Sequence, residues 1–142
     1  MRLLKYLLIL VAFIISQNVF GGEVLKCNLF QGDELVDCID DIYDESEFLA
    51  SYSGDSGSIN TLPFIADGPW VIFFHLVSTS TNEYKFIDNL TVSLMSQDGK
   101  IITNVLMQNQ EGVGVSYMPK KGTFYLNIVS TGIWNVTILP YK

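Results

Sequence analysis

From Trp70 to Lys142 the chain is written in period two, and that rhythm constrains the fold more than any other feature. Trp70–Val77 is an apolar, aromatic-rich run that fits a buried strand. In Phe86–Ser96, the residues Phe86, Leu90, Val92 and Leu94 share one side, with Asp88 as the exception. Ile87, Asn89, Thr91, Ser93 and Met95 take the other. Gln97-Asp98-Gly99-Lys100 is a hairpin turn, because Asp-Gly supplies the backbone that tight turns need, and Ile101–Gln108 is its return strand. Val115–Met118 is a short strand, followed by a turn over Pro119-Lys120-Lys121-Gly122. Phe124, Leu126 and Ile128 then alternate with Tyr125, Asn127 and Val129. After Thr131-Gly132, Trp134, Val136 and Ile138 alternate with Asn135, Thr137 and Leu139. Six strands without a helical period predict an all-β domain, an antiparallel β-sandwich of jelly-roll or Ig-like type.

The N-terminal segment has a different character. Arg2 and Lys5 precede an apolar run from Tyr6 to Ile15, and Val19 and Gly21 put compact residues ahead of a cut near Gly21, or one residue later after Gly22. This is the pattern of an export signal. The run is too short for the roughly 20 residues that span a bilayer as a helix. Nor is any later segment apolar and long enough to span. The expected organisation is a signal peptide over 1–21 and one secreted or periplasmic domain over 22–142. Within it, 22–61 holds a hairpin, an acidic segment and a loop, and 62–142 holds the main strands.

Export into an oxidising compartment predicts that Cys27 and Cys38 pair. A two-residue loop at Gly32-Asp33 places Phe30 opposite Leu35, Leu29 opposite Val36 and Cys27 opposite Cys38, at a spacing a disulfide spans. The expectation is therefore a disulfide-stapled N-terminal hairpin. The rival is a helix over Glu34–Phe48, in which Leu35, Cys38, Ile39 and Ile42 follow the 3.6-residue period.

Charge is uneven. The whole chain carries −7, and without residues 1–21 it holds six basic against fifteen acidic side chains. Between Lys26 and Lys85 there is no base, and eight acids crowd into 33–47. Such a chain is unsuited to nucleic acid, whose phosphates require clustered Lys and Arg. One His and two Cys leave no multi-ligand His/Cys metal site. The acidic stretch reads as a solvated face. Its sharper alternatives are Ca2+ held by Asp40, Asp41, Asp44 and Glu45, a basic protein partner, or docking against the chain's own Lys-bearing half. No EF-hand spacing is present.

Residues 51–61, rich in Ser and Gly, read as the clearest loop in the chain. They contain Gly54-Asp55-Ser56-Gly57, a match to the nucleophile motif of chymotrypsin-like proteases. The sole His75 lies downstream in an apolar strand, and the chain is too short for a double barrel, so the match is accidental.

The closing stretch Lys121-Gly122-Thr123-Phe124-Tyr125-Leu126-Asn127-Ile128, followed by Gly132-Ile133-Trp134-Asn135-Val136-Thr137-Ile138, resembles the final hairpin of small exported bacterial β-sandwich domains, similar to pre-peptidase C-terminal domains. The resemblance covers residues 70–142. It implies an accessory or binding module and brings no catalytic residues with it.

Exposed aromatics are the remaining candidates. Trp70, Tyr52, Tyr84 and Tyr117 are candidate surfaces for stacking on a sugar or anchoring a partner. Asn89-Leu90-Thr91 and Asn135-Val136-Thr137 match the N-glycosylation sequon, used only in a eukaryotic source. The expected function is a secreted, non-enzymatic binding or accessory module for an extracellular protein or glycan. A calcium-stabilised structural or surface protein is the alternative, and a small secreted enzyme the second.

Overall fold

The structure, a computed structural model, describes residues 22–77, 88–109 and 111–142. The expected export segment 1–21, Tyr84, and Phe86 and Ile87 at the start of an expected strand lie outside these. Among the described residues no helix is long and apolar enough to cross a membrane.

Among the described residues, nine strands form two antiparallel sheets. They are β1 (Ala50–Gly54), β2 (Gly57–Asn60), β3 (Phe64–Ala66), β4 (Trp70–Val77), β5 (Leu90–Ser96), β6 (Ile101–Gln108), β7 (Gly112–Met118), β8 (Gly122–Ser130) and β9 (Ile133–Pro140). Sheet A runs β1-β9-β4-β7 and sheet B runs β2-β8-β5-β6, with β3 also on β8. The alternating residues read from sequence supply the core between the sheets. Sheet A contributes Trp70, Ile72, Phe74, Leu76, Trp134, Val136 and Ile138, and sheet B contributes Leu90, Val92, Leu94, Leu126 and Ile128. The result is a β-sandwich-like fold, its two inner faces closing on one apolar layer. Where β7 pairs with β4, Gly114 faces Phe74, whose ring fills the space a Cβ would take.

The N-terminal hairpin is not formed. Glu23–Lys26 is a helical turn (α1), Cys27–Leu29 a 3-10 turn, and Asp33–Ile42 a ten-residue helix (α2). Sorting of charge explains the outcome. As a strand, 35–40 would put Asp37 beside Leu35 and Ile39 on one face and Asp40 beside Val36 and Cys38 on the other. As a helix, the chain gathers Leu35, Cys38, Ile39 and Ile42 on one stripe and leaves Glu34, Asp37, Asp40 and Asp41 in water. Asp33 and Glu34 in the first turn also suit the positive end of the helix dipole. The disulfide forms nonetheless, with Cys27 and Cys38 at 5.7 Å between Cα atoms, because the 3-10 turn lays Cys27 against α2.

This helical cap lies on the outer face of sheet A. Val24, Cys27, Leu35, Ile39 and Tyr43 form a second core with Val71 and Leu139, flanked by Phe73, Val113 and Val115. Trp70, Val71 and Ile72 are consecutive and all fully buried, since the start of β4 is covered on both faces.

The Ser/Gly stretch is likewise corrected. Residues 51–61 are mostly strand: β1 pairs with β9 and β2 with β8. Gly54-Asp55-Ser56-Gly57 is the corner that carries the chain from one sheet to the other. Gly54 lies against the Trp134 indole with no room for a Cβ, and Gly57 has φ +133°, which favours glycine. Asp55 accepts from Trp134 Nε1 through its carbonyl at 3.0 Å, and Ser56 Oγ donates to the Thr131 carbonyl at 2.8 Å.

Candidate binding face

With the helical cap on sheet A, the outer face of sheet B has no such cover among the described residues, and its margins are exposed. Its side chains are the alternates of those in the core. Register arranges them in rows across the sheet. One row is Ser58, Val129, Thr91 and Met107. The next is Asn60, Asn127, Ser93 and Asn104. A third is Tyr125, Met95 and Ile101. Opposite Thr123, β3 adds Ile65.

The middle row is a ladder of neutral hydrogen-bonding groups. Asn127 Nδ2 donates to Asn60 Oδ1 at 2.8 Å, and Ser93 Oγ donates to Asn104 Oδ1 at 2.9 Å. Each amide is thereby oriented, with further donor and acceptor capacity left over. The flanking rows mix polar Ser58 and Thr91 with open apolar side chains, Met107 being 67% exposed, Ile101 66% and Val129 45%, while Ser93 and Met95 on the central strand β5 are buried. None of these residues carries a charge, although the protein has fifteen acids. The nearest charged pair in sequence, Asp98 and Lys100 at 3.2 Å, belongs to the β5–β6 turn. There Ser96 hydrogen-bonds Asp98 and holds its carboxyl below the usual carboxylate range.

The stacking aromatics expected from sequence do not converge on one surface. Trp70 is fully buried, which overturns its assignment as an exposed platform: Nε1 donates to the Lys120 carbonyl at 2.9 Å and Phe64 meets the ring edge-on at 5.2 Å. Tyr52 is half-buried and its hydroxyl donates to the Leu62 carbonyl at 2.7 Å, with burial raising its pKa. Tyr117 is exposed on β7 with its ring against Tyr141 at 5.0 Å. His75 is exposed on β4, opposite Asn135 and Val113. Asn89 and Asn135 are exposed as their alternation implied.

The acids proposed for Ca2+ are also dispersed. Asp40 and Asp41 lie in water on α2 and Glu45 is exposed in the following 3-10 turn. Asp44 is committed to capping that turn: Oδ1 accepts from Ser46 N at 2.9 Å, and Glu47 Oε2 accepts from Asp44 N at 2.9 Å. These bonds hold the Asp44 carboxyl low. Among the described residues no group of three or more His, Cys, Asp or Glu side chains is gathered as for a metal ion. Instead Glu47 meets Lys142, whose ammonium also reaches the Ile42 carbonyl at 3.1 Å and lies 4.7 Å over the Tyr43 ring. One acid of the N-terminal segment thus docks on the basic half of the chain.

The chain matches no protein-family model. No curated protein matches its sequence.

The neutral rows were the part of the surface that sequence reasoning passed over. The signal lay in the alternates, Thr91-Ser93-Met95 and Tyr125-Asn127-Val129, which lack the charge an ordinary solvated strand face carries.

Proposed function

We propose that this is an exported, non-enzymatic binding module that takes a neutral glycan on the outer face of sheet B. One observation carries the reading: an ordered amide and hydroxyl row flanked by the exposed apolar side chains of Met107, Val129 and Ile101, uncharged within an acidic protein. A sugar offers the matching surface, hydroxyls that exchange hydrogen bonds with fixed amides and C–H faces that rest on apolar and aromatic side chains. We further read the strand order as a jelly roll. Treating β2 and β3 as one, the strands pair first with last, second with second-last, and so inward to β5 with β6, which is one long hairpin wrapped into two sheets. The signal pattern and the disulfide support export.

A glycan array probed with the exported protein tests this. Binding to neutral oligosaccharides is expected, reduced at least about tenfold by Asn127→Ala and by Tyr125→Ala, as the loss of one or two good contacts implies. Silence across the array, or binding untouched by both substitutions, sinks the proposal. Millimolar Ca2+ in the same assay and in a thermal melt checks the calcium-stabilised alternative, for which a rise in Tm is the required result.

A further inference from the structure

Gly22 is held by residues from the far end of the fold. Its backbone N–H donates to Tyr141 Oη at 2.6 Å, and two residues on, Val24 N donates to the Lys142 carbonyl at 3.4 Å. A Cβ on residue 22 would collide with the Lys142 carbonyl oxygen and with the Tyr141 ring, so the place admits glycine alone without rearrangement. The acceptor is itself fixed. Tyr141 packs its ring edge-on against Tyr117, and the Lys142 side chain is anchored on Ile42, Glu47 and Tyr43. The same glycine follows the bond at which the export signal is expected to be cut, with Gly21 one place and Val19 three places before it.

We propose that the chain is processed between Gly21 and Gly22, and that the α-ammonium so created on Gly22 is a structural group bound by Tyr141. This rests on the exported reading above. Water adds across the Gly21–Gly22 amide under a signal peptidase of the exporting cell. The carboxylate leaves with Gly21, and the nitrogen stays on Gly22 as an ammonium. That nitrogen already bonds Tyr141 Oη as an amide. As an ammonium it has three donors and a charge, and charge-assisted hydrogen bonds are roughly twice as strong as neutral ones. Cutting one residue later, after Gly22, would discard both the bonded nitrogen and the residue the cleft fits. The structure therefore chooses between two bonds that the sequence pattern leaves open.

N-terminal sequencing and intact mass of the exported protein test the position, with Gly22 as the expected first residue. A first residue of Glu23 or beyond overturns the inference while export stands. A chain that is retained and uncut removes the exported reading along with it. The role of the ammonium is tested by melting the processed protein beside a form that carries one Ser ahead of Gly22, which keeps an amide donor and loses the charge there. The extended form should melt lower by roughly 3–6 °C. In a Tyr141→Phe background, which removes the acceptor, the two forms should melt together. Equal melting of the two forms with Tyr141 intact overturns the structural role.

Discussion

Tyr43 shows how much one side chain ties together. It is buried where α2 ends, its hydroxyl donates to the Pro140 carbonyl at 2.6 Å, and the Lys142 ammonium lies over its ring. Burial, helped by the Glu47 carboxylate and opposed by a backbone hydrogen bond at Lys142, pushes its pKa up to about 12. A raised pKa on an acid means the fold prefers the neutral phenol. Its contribution is therefore whole below the ordinary tyrosine value of 10.0 and is lost as pH climbs to about 12. Urea midpoints measured between those pH values should fall for the native protein, and Tyr43→Phe should flatten part of that fall while costing about 0.5–1.5 kcal/mol at neutral pH. Asp88 illustrates a residue that sequence parity placed well. It stood on the apolar side of its segment as an exception, and it is indeed buried, with Thr131 Oγ1 donating to its Oδ1 at 3.5 Å. Trp70, a candidate exposed aromatic from the sequence, is interior. Phe64 of β3, Phe124 of β8 and the Lys120 carbonyl of the turn before β8 enclose it on the inner face, and none of them is visible from the strand's own pattern.

At the scale of elements, the strands after residue 70 were legible and the segment before it was not, for reasons that lie in the residues. Alternation shows in β8 and in the first half of β9, where Ile133 and Asn135 stay exposed, because one face meets water there. In β1 and β2, Ser and Gly carry no apolar period, and what makes them strands is the backbone of β9 and β8 beside them, a tertiary cause. The α2 segment obeyed two periods at once, and its charges decided between them only when a sheet face was present to receive the apolar stripe. The disulfide agrees with both readings, which is why the correct pairing followed from an incorrect turn. Reducing it should cost about 2–3 kcal/mol for a loop of this length. Limited proteolysis should then cut first near α2, leaving a protected fragment from β1 onward. If reduced and oxidised protein are cleaved alike, the staple is not what holds the cap.

At the scale of the whole molecule, the cap gives the two sheets different fates: part of sheet A, around Val71 and Leu139, is buried on both sides, and sheet B carries no such cap among the described residues. The nested pairing of the strands also has a kinetic meaning. Closure of β5 on β6 spans only a short turn, whereas β1 must find β9 across most of the domain, Ala50 meeting Ile138. Contacts so remote in sequence carry a large loop-closure entropy, and refolding on the order of milliseconds to seconds is expected. The innermost hairpin should then be in place when the barrier is crossed, and the outermost pair should arrive after it. In stopped-flow measurements, Leu94→Ala in β5 should slow refolding, while Tyr52→Ala in β1 should chiefly speed unfolding. A strand order drawn as space would thus be retraced in time, from the Asp98-Gly99 turn outward to the edge where the two ends of the described chain meet.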